Sequence, residues 1–135
     1  MAGTQGCVFC GIVSGELPSH RVYEDDLCVA LLDTKPVGRG HTLVVPKRHY
    51  ENVHDTPEDL VAHIYKVVKM IAGVQKKTLA PAGISVAQNN GAVAGQIIFH
   101  FHVHVIPKNQ PDHERYSATG DELNMVAEVL RNGIG

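Results

Sequence analysis

From His100 to Val105 the chain alternates imidazole and apolar side chains without a break, His100-Phe101-His102-Val103-His104-Val105, before Ile106. An extended strand sends residues i, i+2 and i+4 to one face. The pattern predicts a strand over residues 97–106 that lines up three histidines on one side and points Phe101, Val103 and Val105 into a core. One face is then free for chemistry and the other is structural.

The rest of the chain supplies the partners of that strand. Strands are expected over 20–24 and 27–32, around an Asp25-Asp26 turn, and over 41–46 after a loop punctuated by Pro36, Gly38 and Gly40. Thr56 as N-cap, Pro57 at the first helical position and acids at Glu58 and Asp59 announce a helix. In it Leu60, Ile64, Val67, Val68, Ile71 and Val74 recur at helical spacing, and it should stop near Leu79, before Pro81. A strand over 83–88, a glycine-bearing loop over 89–96 and a terminal helix over 121–131 follow, the last with Leu123, Val126, Ala127 and Leu130 on one side. Residues 7–15 read as short and mixed, with a turn at 16–19. This order predicts one α+β domain over residues 1–135, an antiparallel sheet of about five strands with a long central helix and a C-terminal helix on one face.

Composition narrows the function. At 135 residues the chain supports one core. Its formal net charge is -2, and lysines and arginines are scattered rather than gathered in a basic stripe, which argues against a nucleic-acid partner. Residues 1–6 hold no basic-then-apolar leader, and no apolar run approaches the roughly 18–20 residues of a membrane span. The expectation is a soluble, unsecreted, cytoplasmic protein, small enough for nuclear entry.

Of three cysteines, Cys7 and Cys10 form a C-x-x-C pair, which fits metal binding or redox chemistry, and Cys28 sits in an apolar run as an inert core thiol. Two thiolates need two more nitrogen or sulfur ligands to close a tetrahedral zinc site. The histidines admit several readings. A neutral imidazole offers one free nitrogen for attack while an acceptor holds the other. His102, flanked by two more rings that oppose its protonation, is the natural nucleophile, leaving His100 and His104 to hold a phosphate, donate protons or bind metal. Asn89 and the backbone of the 89–96 loop offer donors to a phosphoryl oxygen. The same residues also describe a solvated strand face, a chance metal site and an ordinary glycine turn.

The segment His-φ-His-φ-His-φ-φ, φ being apolar, resembles the signature of the histidine triad family of nucleotide hydrolases and transferases. Residues 7–12, 22–26, 32–33, 40–47 and 95–96 are similar to family segments in the family's order, so the resemblance covers about residues 7–107. It is closest to the Hint-like purine nucleoside phosphoramidases and their zinc-bearing microbial relatives. It implies a homodimer whose two sheets join into one, and a small-molecule purine nucleotide bound with its α-phosphate against the triad. His102 would attack phosphorus to give a nucleotidyl-histidine that water hydrolyses, with His104, His100 and His41 as catalytic companions. By the same likeness Asn89 and the Gly95 and Gln96 backbone contact phosphate, Asp33 grips the ribose, and Phe9, Ile12 and Leu31 wall the base with Thr34 alongside. Ile97 departs from the pattern: the phosphoramidase branch has serine there and the dinucleoside polyphosphate branch threonine. The likeness also implies a structural zinc held by Cys7, Cys10, His49 and His100.

Two other functions remain open at this level. Pro107 after the triad resembles the dinucleoside polyphosphate hydrolases, and a nucleotide-binding scaffold with incidental activity is a different class altogether. His20, His54, His63 and His113 read as solvated surface residues. Tyr116 and the 109–120 loop are placed to close over a partner subunit's pocket.

Overall fold

A computed structural model describes residues 6–111 and 114–135. The expected surface histidine His113 and residues 1–5 lie outside them. The elements run α1 (Val8–Ser14), β1 (Arg21–Glu24), β2 (Cys28–Leu32), β3 (Thr42–Pro46), α2 (Glu58–Leu79), β4 (Gly83–Ala87), β5 (Val103–Lys108) and α3 (Gly120–Ile134), with a 3-10 turn at Ala92–Ala94. The five strands form one sheet in the order β1-β2-β3-β5-β4, antiparallel throughout. This is the expected α+β sheet of five strands.

Both faces of that sheet are covered, which departs from the one-sided arrangement expected. On one face α2 and α3 pack Ile64, Val67, Val68, Ile71, Leu123, Val126 and Leu130 against Cys28, Ala30, Leu32, Val44, Phe101, Val103 and Val105. Burying each large aliphatic side chain contributes about 1.5–3 kcal/mol. On the other face α1 brings Phe9 and Ile12 onto Val29, Leu31, Leu43 and Val45. Every residue of β2 and β3 is therefore buried, which explains their near-continuous apolar sequences. The first helix escapes a periodicity search because it has only seven residues and carries Gly11 and two valines. Its ends are nonetheless specified: the Cys7 sulfur accepts from the Cys10 amide, and Gly15 closes it at φ +88°.

Two helix starts differ from expectation. Thr56 does not cap α2; its hydroxyl donates to the Asn52 carbonyl at 2.6 Å, and Pro57 holds the N-cap position. Thr119 caps α3 by accepting from the Glu122 amide, so that helix begins at Gly120. The histidine segment differs most. Strand β5 begins only at Val103, so His100 and His102 precede it and His104 alone lies in the ladder. Phe101, Val103 and Val105 are still fully buried, as the alternation required. Among the described residues no helix is long and apolar enough to cross a membrane.

Candidate active site and metal centre

Antiparallel partners share a face of a sheet, and the register places Leu31, Leu43, His104 and Ala87 in one row across β2, β3, β5 and β4. This is the face covered by α1. His41 precedes β3 and His102 precedes β5, so both rings lie beside His104: ring centroids are 5.2 Å apart for His41–His104 and 4.9 Å for His102–His104. Phe9 meets the His102 ring at 5.1 Å, edge to face.

Fixed backbone partners assign the protons on these rings. The Val37 amide donates to His41 Nδ1 at 3.1 Å. Neutral His41 therefore carries its hydrogen on Nε2 and donates it to His104 Nδ1 at 2.9 Å. His104 in turn carries hydrogen on Nε2. His102 Nδ1 lies 2.7 Å from the His100 carbonyl oxygen, which can only accept, so Nδ1 is protonated and Nε2 keeps a lone pair. A free imidazole nitrogen and an imidazole N–H thus stand on adjacent rings. Burial is the main cause that keeps all three neutral: it pushes His41 down to about 3 and His104 down to about 4, and it lowers His102 as well.

The first histidine of the segment faces elsewhere. His100 Nε2 donates to the Pro46 carbonyl at 2.8 Å, which turns the Nδ1 lone pair toward Cys7 Sγ at 3.4 Å, Cys10 Sγ at 3.6 Å and His49 Nδ1 at 3.1 Å. Cys10 Sγ lies 3.3 Å from His49 Nδ1, and all four ligand atoms fall within 4.8 Å of one another. A zinc ion with bonds of about 2.3 Å to sulfur and about 2.0 Å to nitrogen sets tetrahedral ligands roughly 3.3–3.8 Å apart. The Cys/His cluster fits that spacing. Burial and the neighbouring Cys7 raise the Cys10 thiol to about 11, so a cation between the sulfurs is what would draw its proton off.

Other expected residues are brought near, with differences. Phe9, Ile12 and Leu31 pack in one buried cluster with Leu43. Asn89 Nδ2 would lie only 3.4 Å from a Cβ on Gly95, whose φ of +102° also requires glycine. The Gly95 and Gln96 amides bond to Ala92 and Gly91 carbonyls within their own turn. The Gln96 side chain ties that turn to the Glu51 and Ile98 carbonyls. Ile97 is 84% exposed, and Thr34 is exposed too. Asp33 accepts from the Lys35 amide at 2.9 Å and from Arg115 at 2.8 Å, and its Oδ2 stands 3.8 Å from His41 Nε2.

Arg115 was not among the residues singled out from sequence; it lies beyond the resembling segments, and nothing local marks it. Of the 109–120 loop, Tyr116 packs on its own chain, with its amide on the Pro36 carbonyl and its hydroxyl on Glu122. His20 bonds Asn124 and His54 is exposed. His63 is not simply solvated: it meets Asp25 at 2.7 Å and pins α2 to the β1–β2 turn. Cys28 is fully buried, and burial raises its thiol to about 12, as befits an inert group.

Comparison with known proteins gives one consistent answer. A family model described as HIT domain matches residues 14–111. The chain is 43% identical over 106 residues to the adenylylsulfatase HINT3 of Arabidopsis thaliana, covering 78% of this chain and 54% of that protein, so it spans about half that relative's length. A hypothetical histidine triad nucleotide-binding protein from Sulfolobus tokodaii superposes with TM-score 0.89 at 38% identity, covering 95% of this chain and 91% of the other. A zinc-bound histidine triad family protein from Mycobacterium smegmatis superposes with TM-score 0.87 at 38% identity, covering 98% and 95%.

Proposed function

Because the chain belongs to the histidine triad, or HIT domain, family, we infer that it is a nucleotide hydrolase cleaving a bond to the α-phosphate of a purine nucleoside monophosphate conjugate. The observation that carries this reading is the proton arrangement. His102 presents an Nε2 lone pair, with its Nδ1–H held by the His100 carbonyl, beside a His104 that presents Nε2–H.

In the reaction the His102 Nε2 lone pair forms a bond to the α-phosphorus as the bond to the leaving group breaks. The positive charge that develops on the ring is offset by the His100 carbonyl at Nδ1. The His104 N–H and the Asn89 amide stabilise the phosphoryl oxygens. Water then attacks phosphorus, releasing the nucleoside monophosphate and restoring neutral His102. Asp33 is assigned to the ribose, and Phe9, Ile12 and Leu31 to the base.

Cys7, Cys10, His49 and His100 are assigned to a structural zinc; with four protein ligands it leaves no open position for water. It would fix the His100 ring, whose carbonyl orients His102. A Cys7–Cys10 thiolate site and the buried thiol of Cys28 suit a reducing compartment such as the cytoplasm.

Ile97 refines the substrate. Without a hydroxyl there to protonate the leaving group, anhydrides that expel a stable anion, such as an aminoacyl adenylate, should react better than an amine-releasing phosphoramidate. Adenylyl sulfate joins that class, given the activity named for the Arabidopsis relative. The test is a panel of adenosine 5′-phosphoramidate, an aminoacyl adenylate, adenylyl sulfate and diadenosine polyphosphates, with AMP release followed. Highest kcat/KM on an adenylate anhydride is expected. Preference for the diadenosine compounds would establish the alternative hydrolase, and nucleotide binding without turnover of any of them would establish a scaffold.

A homodimer is assigned to the edge of β4, the last strand of the sheet, which no strand pairs among the described residues and where Val86 is 47% exposed. An unpaired, partly apolar edge is a template for a second copy. Sedimentation should find a dimer for the wild type and a shift to monomer for Val86→Lys; a monomeric wild type overturns the assignment.

A further inference from the structure

His41 has one N–H and two acceptors within reach of it. Its Nε2 lies 2.9 Å from His104 Nδ1 and 3.8 Å from Asp33 Oδ2. A carboxylate is the stronger acceptor, and Asp33 is only a few tenths of an ångström beyond hydrogen-bond length. Something must keep it from taking the proton meant for His104.

That something comes from the C-terminal segment. Arg115 Nη1 donates to Asp33 Oδ2 at 2.8 Å and to the Lys35 carbonyl at 2.6 Å, so both its hydrogens are used on the Asp33 loop. The segment is itself anchored there, by the Tyr116 amide on Pro36 and the Ala118 amide on Thr34. Asp33 Oδ1 is held by the Lys35 amide. The carboxylate is therefore tethered at both oxygens.

We propose that Arg115 is a positioning residue: by holding Asp33 Oδ2 it leaves the His41 N–H to His104 and so keeps His104 in the Nε2–H tautomer. The groups facing His41 are Asp33 from the end of β2, His104 and His102 from β5 and the segment before it, and Arg115. The guanidinium charge also opposes protonation of His41 and His104, in the same direction as the tether. Without Arg115, Asp33 closes on His41, the His41–His104 bond is lost, and His104 is free to carry its proton on Nδ1. The catalytic consequence rests on the role given to His104 above; the tautomer itself does not.

The test uses the full-length protein and two readouts. Nitrogen-15 imidazole correlations at neutral pH should show His104 as the Nε2–H tautomer in wild type and a mixture in Arg115→Ala. Arg115→Lys, which keeps a cationic donor, should restore most of the Nε2–H form. With an adenylate substrate, kcat of Arg115→Ala should fall about tenfold, an effect of about 1.4 kcal/mol. On an Asp33→Ala background the Arg115 change should have no further effect on kcat or tautomer, because its target is gone. An unchanged His104 tautomer in Arg115→Ala, or an equal kcat loss on the Asp33→Ala background, overturns the proposal. If no variant or wild type turns over substrate, the hydrolase reading fails while the tautomer readout still decides this one.

Discussion

Replacing His102 with alanine is expected to lower kcat on the best adenylate substrate by at least about 10⁴-fold, because the phosphorus then has no protein nucleophile. The fold should be spared: the ring is only partly buried, and its contacts are an edge of Phe9 and a hydrogen bond to the His100 carbonyl. An unchanged melting temperature and retained AMP binding are the controls that separate lost chemistry from lost structure. The intermediate gives a second readout. Wild type quenched in acid-free denaturant during turnover should carry a nucleotide mass on the His102 peptide, and the variant should carry none. Turnover by His102→Ala within tenfold of wild type would show that the nucleophile is water or another residue. His104→Ala should lose less, because it removes a donor to the phosphoryl oxygen and leaves the attacking nitrogen in place.

Protein purified without added metal is expected to carry about one zinc per chain, and losing it should be the largest single blow to stability. Cys7 caps α1 and Cys10 lies in it, His49 follows β3 and His100 precedes β5, so one ion would join three separate pieces of chain. Without it two sulfurs and two imidazoles crowd together beside α1 with no cation to hold them. Cys10→Ser should lower the melting temperature by about 10 °C or more, as a loss of roughly 3 kcal/mol does in a domain of this size. A chelator should lower wild type by a similar amount and leave Cys10→Ser where it is. Because the His100 carbonyl orients His102, kcat should fall as well. Metal-free wild type, or a melting temperature indifferent to chelator, would sink the assignment.

Much of the sheet was legible because its signals are local. The apolar runs at Cys28–Leu32 and Thr42–Pro46 and the helical spacing from Leu60 to Val74 each describe how one segment meets a core, and α2 stops at the expected Leu79. What failed were short or competing signals. The helix α1 is too brief for periodicity to show, and Thr56 had a nearer partner in the Asn52 carbonyl than the helix amides. The strand expected over 97–106 instead runs from Val103 to Lys108. A two-residue period shows which side chains turn to the core, but it does not show whether a neighbouring strand lies alongside, and β3 pairs with β5 only from Val103.

The sequence by itself determined the chemistry this chain carries: three spaced imidazoles, a C-x-x-C pair, and apolar residues that bury the other side of the same segment. Its spacing singles out His102 between two like neighbours and leaves the roles of His100 and His104 interchangeable. Only the tertiary structure separated them, because what distinguishes them is which ring nitrogen is held. The holders are the Pro46 and His100 carbonyls and the Val37 amide, backbone groups present at nearly every residue and visible in no motif. The same is true of the Asp33–Arg115 pair, 82 residues apart: charge is written in the sequence, but its partner is chosen by where the folded chain brings the two ends together.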